Sequence, residues 1–313
     1  MDVLDPVGLT TLQAAVREGT FERAAKHLNV TPSAVSQRMR ALESAVGAVL
    51  VSRTKPIRPT SDGEVLLSLA LQWSLLRQEA VGQLTASQVP GGGAGARQRI
   101  TVPIATGADA LALVLLPAMA QLEREVPVTF EVFREDDAHS VDLLRQGRVV
   151  CALSSDTVPV PGHRAQTLGT LRYLPLATPE YVERYLPEGP TAEALADAPV
   201  VCFDRKDDLQ HAYLRRLVEQ DLRPPVTYVP ANREFEEAVL LGLGWGLVPQ
   251  GRVDEHLASG QLVRIGPGYR DVPLVWHRPR ITSAVLDALG ERLAAVALDV
   301  VRGAEVWENR QSP

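Results

Sequence analysis

Thr20-Phe21-Glu22-Arg23-Ala24-Ala25-Lys26-His27-Leu28-Asn29-Val30-Thr31-Pro32-Ser33-Ala34-Val35-Ser36-Gln37-Arg38-Met39-Arg40-Ala41-Leu42-Glu43 reads as two short helices around a tight turn. Phe21, Ala24, Ala25 and Leu28 recur at helical spacing on the first, and Val35, Met39 and Leu42 on the second. Ala25 is small enough to let the helices cross closely. Asn29 tolerates the left-handed backbone that a sharp turn requires. Thr31 is a good N-cap, and Pro32 falls at the first helical position, where its missing N–H costs nothing. The second helix then exposes Ser33, Ser36, Gln37 and Arg40 beside Thr31 and Pro32, side chains suited to base edges and phosphates in a DNA major groove.

Leu50–Gly63 is too rich in proline and β-branched residues for a helix and reads as a two-stranded wing carrying Arg53, Lys55 and Arg58. Between Val16 and Thr60 stand eight Lys/Arg against three acids, a window of +5 in a chain of −6, which leaves −11 elsewhere. A basic N-terminal block on an acidic protein is the electrostatic footprint of phosphate binding. Together with the helix pair it predicts a winged helix-turn-helix bound to double-stranded DNA.

The ordered set Phe21, Ala24, Ala25, Leu28, Val30, Thr31, Pro32, Ser33, Ala34, Val35, Ser36, Leu42, Glu43, Gly47, Leu50, Arg53, Thr60 and Gly63 resembles the LysR-type transcriptional regulators. The resemblance covers the full chain. It implies an effector domain after the DNA-binding one, and a linker helix that dimerises.

From Glu64 to Leu84 the pattern is one long helix, with Leu66, Leu69, Trp73, Leu76, Ala80 and Leu84 close to a heptad seam. A helix-turn-helix reading a two-fold operator needs a partner about one helical turn, ~34 Å, away. These six residues are therefore the expected dimerisation stripe. Val89–Ala96, with its glycine run, is a flexible joint. Beyond it, strand-like and helical segments alternate from Ile100 to Val301, which argues for parallel sheets flanked by helices in two small α/β lobes. The resemblance adds a periplasmic-binding-protein-like fold in which two strands cross between lobes, placed at Leu168–Ala177 and Asp271–His277. The expected division is 1–63 winged helix-turn-helix, 64–88 linker helix, 89–98 joint, 99–176 with 278–313 the first lobe, and 177–277 the second.

At 313 residues the chain invites two or three domains. Its start, Met1-Asp2-Val3-Leu4-Asp5-Pro6, has no basic or apolar leader region, and no run approaches a membrane span, so a cytoplasmic protein is expected. Cys151 and Cys202 sit in apolar strand-like runs and read as buried core. The six histidines are scattered without metal-ligand spacing, and no nucleophile motif occurs. Gly242-Leu243-Gly244-Trp245-Gly246 follows a helix and precedes a strand, the reverse of a dinucleotide fingerprint, and reads as a tight turn. No catalytic residue, metal or cofactor is implied. This argues against an α/β enzyme, and the DNA-binding block argues against a solute receptor.

Further segments resemble the ArgP/LysG branch of the family, regulators of basic amino acid export: Glu135–His139, Leu168–Tyr173, Phe203–Asp207, Leu209-Gln210, Gly242–Pro249 and Asp271–His277. Where that branch has Asn-Ala-Asp-Ser after its first strand, this chain has Gly107-Ala108-Asp109-Ala110 and lacks two polar side chains. Ligands of open α/β sheets bind beyond the carboxyl ends of strands. The turn Gly107–Ala110 is thus the expected effector contact, with Asp109, Asp136, Asp137 and Asp204 as acids for a cationic group. The resemblance implies lysine or arginine as effector, a homodimer or homotetramer, contact with RNA polymerase, and an exporter gene as target.

Overall fold

The computed structural model describes residues 4–52, 54–88, 99–135 and 140–311. Helix α1 (Pro6–Glu18) starts where the Asp5 carboxylate accepts from Val7 N at 3.1 Å. Helix α2 (Phe21–His27) is capped by Thr20, and Asn29 makes the turn at φ 53. Helix α3 (Pro32–Val46) begins at Thr31, whose hydroxyl accepts from Ala34 N at 3.2 Å. Ala14, Ala15, Ala24, Ala25 and Val35 are buried where the three helices meet, with Phe21, Leu28 and Val30 packed against them. Strands β1 (Val51–Ser52) and β2 (Arg58–Pro59) pair antiparallel as the wing. Glu43 accepts from Leu50 N and thereby ties the wing to α3. Thr60 caps helix α4 (Ser61–Gln88) through Gly63 N.

The remaining elements alternate much as the sequence implies. They begin with β3 (Ile100–Thr106), α5 (Ala108–Ala110), a π-helical turn Leu111–Leu115, and α6 (Leu116–Glu123). Then come β4 (Val128–Arg134), α7 (Ser140–Arg145), β5 (Cys151–Ser154), β6 (His163–Ala177) and α8 (Pro179–Tyr185). Next are α9 (Ala192–Asp197), β7 (Val200–Cys202), α10 (Leu209–Val218), β8 (Val226–Tyr228) and α11 (Asn232–Leu240). The chain continues through β9 (Gly246–Pro249), a 3-10 turn Gln250–Arg252, α12 (Asp254–Ala258), β10 (Val263–Arg264), β11 (Arg270–Pro279) and α13 (Ala284–Gln311). Glycines 242–246 make the turn from α11 to β9, as their position suggests. No described helix is long and apolar enough to cross a membrane. Cys151 and Cys202 are free and buried.

The chain divides into two compact units: Met1–Gly107 with Ala118–Thr167 and Val275–Arg292, and Ala108–Pro117 with Leu168–Leu274 and Leu293–Pro313. Strands β6 and β11, the two segments expected to cross, each run from one unit into the other, with the changeovers at 167/168 and 274/275 rather than the expected 176/177 and 277/278. The division also differs from the expected one at Ala108–Pro117 and Leu293–Pro313, which join the second unit, and in grouping residues 1–88 with the first lobe. For the first of these the cause is visible: Asp109 is held by side chains of that unit.

In the first unit β3 is flanked by parallel β4, from Ile100↔Val128 to Thr106↔Arg134, and parallel β5, while β11 runs antiparallel to β5. Ala105, Val141, Leu144, Val149 and Ala152 form its core beneath α7. Helix α4 seats on this sheet. Gln78 Oε1 accepts from Thr101 N at 3.0 Å, and Leu67 and Ser68 lie against Gly147. In the second unit β6 pairs antiparallel with β9 and β10, and β7 pairs parallel with β8. Leu174, Leu176, Val201, Phe235, Val239 and Val248 fill that core.

Candidate DNA interface and effector site

Helix α3 is two-faced. Val35, Met39 and Leu42 are buried, whereas Thr31, Pro32, Ser33, Gln37 and Arg40 are exposed and Ser36 is half-buried. The Thr31 hydroxyl also lies 2.9 Å from Ser33 Oγ, so the cap and the first exposed serine are linked. That leaves Gln37 and Arg40 free-standing one turn apart, the geometry a major-groove helix needs. On the wing, Lys55 and Arg58 are exposed, and Arg53 lies outside the described residues. Ser52 Oγ donates to Arg58 O at 3.1 Å and closes the wing's base.

Helix α4 carries apolar residues on both sides. Leu66, Leu67, Ala70, Leu71 and Leu75 are buried within the first unit. The open side shows Val65 (69% exposed), Leu69 (39%), Trp73 (45%) and Leu84 (63%), with exposed Ala80 and half-buried Leu76. Of the six residues expected to form the stripe, Leu66 instead packs in the core with Leu12, Met39 and Leu50. Val65 takes its place, four residues before Leu69. The same spacing could have shown this in the sequence.

In the second unit the Asp109 carboxylate is spanned by two donors. Tyr173 OH on β6 donates to Oδ2 at 2.9 Å, and Asn232 Nδ2 at the start of α11 donates to Oδ1 at 2.6 Å. The π-helical turn that follows Asp109 is the sort of local widening often found at functional sites. Burial raises the Asp109 pKa above its ordinary value; the Tyr173 hydrogen bond and Arg252 oppose this, while Asp207 and Glu236 reinforce it. Arg252 is itself paired with Glu236 at 2.8 Å, and His256 lies 3.5 Å from Glu236. Asn232 Oδ1 is buried without a hydrogen-bond partner among the described residues. A carboxylate beside an unmatched carbonyl oxygen suits a ligand rich in N–H donors.

The other expected acids behave differently. Asp204 Oδ1 accepts from Lys206 N at 2.7 Å and Asp207 N at 3.1 Å, so one oxygen of its carboxylate is engaged in its own turn. Asp207, not singled out in the sequence, accepts from Phe203 N and Leu209 N. Burial raises its pKa. Asp136 and Asp137 lie outside the described residues. Gly107 ends the first unit's segment and Ala108 and Ala110 flank Asp109 in the second; none of the three offers a side-chain polar group. Sequence reasoning missed Tyr173 and Asn232. Asn232 follows the strand ending at Tyr228, the same placement that drew attention to Asp204.

Residues 8–64 match the family described as bacterial regulatory helix-turn-helix protein, lysR family, and residues 95–297 match the LysR substrate binding domain. The chain is 38% identical over 300 residues to the HTH-type transcriptional regulator LysG of Mycobacterium tuberculosis, covering 96% of each. It is 36% identical to the lysine export transcriptional regulatory protein LysG of Corynebacterium glutamicum, covering 96% of this chain and 100% of that one. Its fold is similar to the crystal structure of ArgP from Mycobacterium tuberculosis, with TM-score 0.83, 38% identity, and coverage of 94% and 97%. It is similar also to full-length LysG from Corynebacterium glutamicum with bound effector Arg, with TM-score 0.77, 36% identity, and coverage of 95% and 99%. The basic two-faced α3, the wing and the two-unit effector region thus have one explanation: the chain belongs to the LysR family and is a transcriptional regulator of the LysG/ArgP type, not an enzyme.

Proposed function

We propose that this regulator senses a basic amino acid, lysine or arginine, at Asp109, and controls a gene for amino acid export from a two-fold operator in the cytoplasm. The observation that carries the reading is the buried Asp109 carboxylate, steadied by Tyr173 and Asn232, with the unmatched Asn232 Oδ1 beside it. An ammonium or guanidinium group supplies N–H donors for both acceptors and offsets the penalty on the buried charge. The bound arginine of the Corynebacterium protein and its export-regulator name support the same effector class and target. The exposed apolar stripe of α4 supports pairing of two chains in a homodimer, with a homotetramer and contact with RNA polymerase as the wider assembly. Gln37 and Arg40, with Ser33 and Ser36, read bases, while Lys55, Arg58 and Arg53 bind phosphate.

Calorimetry on the full chain tests the effector. Lysine or arginine is expected to give saturable heat, strongly weakened by Asp109→Asn. If neither gives heat at about millimolar concentration, ~−4 kcal/mol of binding free energy, and a neutral or acidic metabolite does, the basic amino acid is the wrong effector.

A further inference from the structure

Helix α4 carries one buried carboxylate. Glu79 is 9% exposed, and among the described residues no Lys or Arg pairs with it. Its Oε1 accepts from Ser283 Oγ at 2.5 Å and from Val285 N at 3.1 Å. Ser283 is the residue before α13, and its hydroxyl accepts in turn from Leu286 N at 3.2 Å. The serine has one proton and gives it to Glu79, which leaves its lone pairs aimed at the helix. Glu79 therefore completes the cap of α13 twice, directly at Val285 and through the orientation of Ser283 at Leu286. A carboxylate at a helix N-terminus also meets the positive end of the helix dipole, which compensates a charge held away from water.

Other contacts also hold α4 on the first unit, among them Gln78 to Thr101 N and Leu67 against Gly147. Those reach the sheet and a turn. Glu79 reaches α13, and α13 is one helix of 28 residues, about 42 Å long. Its first turns belong to the first unit and its remainder, from Leu293, to the second. The same continuous element thus begins at the linker helix and ends in the unit that holds Asp109.

We infer that Glu79 is a positioning residue that couples the effector domain to the DNA-binding module, by tying α4 to the first turn of α13. Neither DNA nor effector touches it in this scheme. A shift in α13 is transmitted to α4 through a charge-assisted pair of hydrogen bonds rather than through the glycine-rich segment 89–98. The inference rests on the effector reading above for its trigger, but the tie stands on its own geometry.

The experiment uses the full-length wild type, Glu79→Ala and Glu79→Gln, with the DNA upstream of its own gene and with arginine and lysine as probes. Gln keeps an oxygen for Ser283 and Val285 without the charge, whereas Ala removes the acceptor. The wild type should show operator affinities that differ on the order of 5–150-fold with and without the amino acid. Glu79→Ala should bring that ratio to within about twofold of one while its affinity for random DNA stays within about threefold of the wild type's, and Glu79→Gln should restore the ratio. A wild-type ratio in Glu79→Ala overturns the inference, as does loss of folding in Ala that Gln does not rescue. Should the wild type itself respond to neither amino acid, the effector reading fails and the tie is judged by hydrogen exchange. Faster exchange in Glu79→Ala at both α4 and residues 285–287, reversed in Glu79→Gln, upholds it. Unchanged exchange overturns it.

Discussion

Replacing Gly147 by alanine puts a methyl group where helix α4 already stands. The added Cβ would lie 2.4 Å from Leu67 Cβ, 2.8 Å from Ser68 N and 2.9 Å from Leu67 C. Two of those three atoms are helix backbone and cannot swing aside, so either the turn after α7 or the whole of α4 must move. Gly147 also sits at φ +61, where a side chain costs about 1–2 kcal/mol. Overpacking adds about 1–3 kcal/mol. The expected loss is thus about 2–5 kcal/mol, a large part of the 5–15 kcal/mol that holds a typical protein folded.

Two other glycines separate the contributions. Gly162, at φ +77, meets nothing within 4 Å, so Gly162→Ala carries the backbone cost alone, about 1–2 kcal/mol. Gly82 lies inside α4 and its Cβ also meets nothing within 4 Å, so Gly82→Ala should stabilise by about 0.5–1 kcal/mol. Urea unfolding of the three variants, compared at unchanged m, reads the series directly. If Gly147→Ala costs no more than Gly162→Ala, α4 does not rest on that turn in solution, and the seating of the linker helix on its own first unit is wrong.

Asp109→Asn keeps the shape of the side chain but removes its charge and sets an NH2 against either Asn232 Nδ2 or Tyr173 OH; affinity for lysine or arginine should fall at least ~10-fold, ~1.4 kcal/mol, and unchanged calorimetric affinity refutes its role. Leu69→Lys with Trp73→Lys places charges on the open stripe of α4 and should give monomers with lost operator binding; an intact dimer by sedimentation would reject the stripe as an interface. Gln37→Ala should relax base preference at one position at a cost of about 1–3 kcal/mol, whereas Arg58→Ala should weaken all sequences alike and lower the salt slope by about 1. His163 and His277 are both buried, and burial lowers both pKa values below 6.5. Below pH 6.5 the unfolded chain binds more protons at these sites than the native one, so stability should be full above pH 6.5 and decline as pH falls through it. His277→Gln should shrink the drop in urea midpoint between about pH 7.5 and 5.5, and an equal drop would count against that histidine.

Local chemistry carried the DNA-binding half of the sequence. Thr31, Pro32 and Asn29 act within four residues of their own positions, as cap, first helical residue and turn, so their roles need no knowledge of the rest of the chain. The alternation of strands and helices was legible for the same reason. Some short elements were not: α9, α12 and β10 have six, five and two residues, too few for a period to emerge. Nor was the break of the helix after β3 into α5, a π-helical turn and α6, which turns on one widened hydrogen-bonding register. Helix α1 was legible and missed, since Asp5-Pro6 is a cap followed by a proline at the first helical position. The Asp109 cluster is of another kind. Its partners lie 64 and 123 residues away, and no local pattern records such pairings.

The misplacement of Leu66 has a cause that bears on function. A helix with one apolar face announces its face by period, but α4 must meet its own chain on one side and, in the proposed dimer, a second copy on the other. Leu66, Leu67, Ala70, Leu71 and Leu75 serve the first duty, and Val65, Leu69, Trp73 and Leu84 are left for the second. With apolar residues on both sides, a three-or-four-residue step can slip from one stripe to the other without penalty in the pattern. Polar residues settle the matter where they are buried. Glu79 lies in line with Leu75 and Leu71 at steps of four, so the buried face of α4 carries a carboxylate that, among the described residues, is met by Ser283 and the first turn of α13. An apolar residue there would seat the helix without specifying its position along the lobe. An acid that must find two donors fixes that position, and this is the property a helix needs if displacement of α13 is to be felt at the DNA.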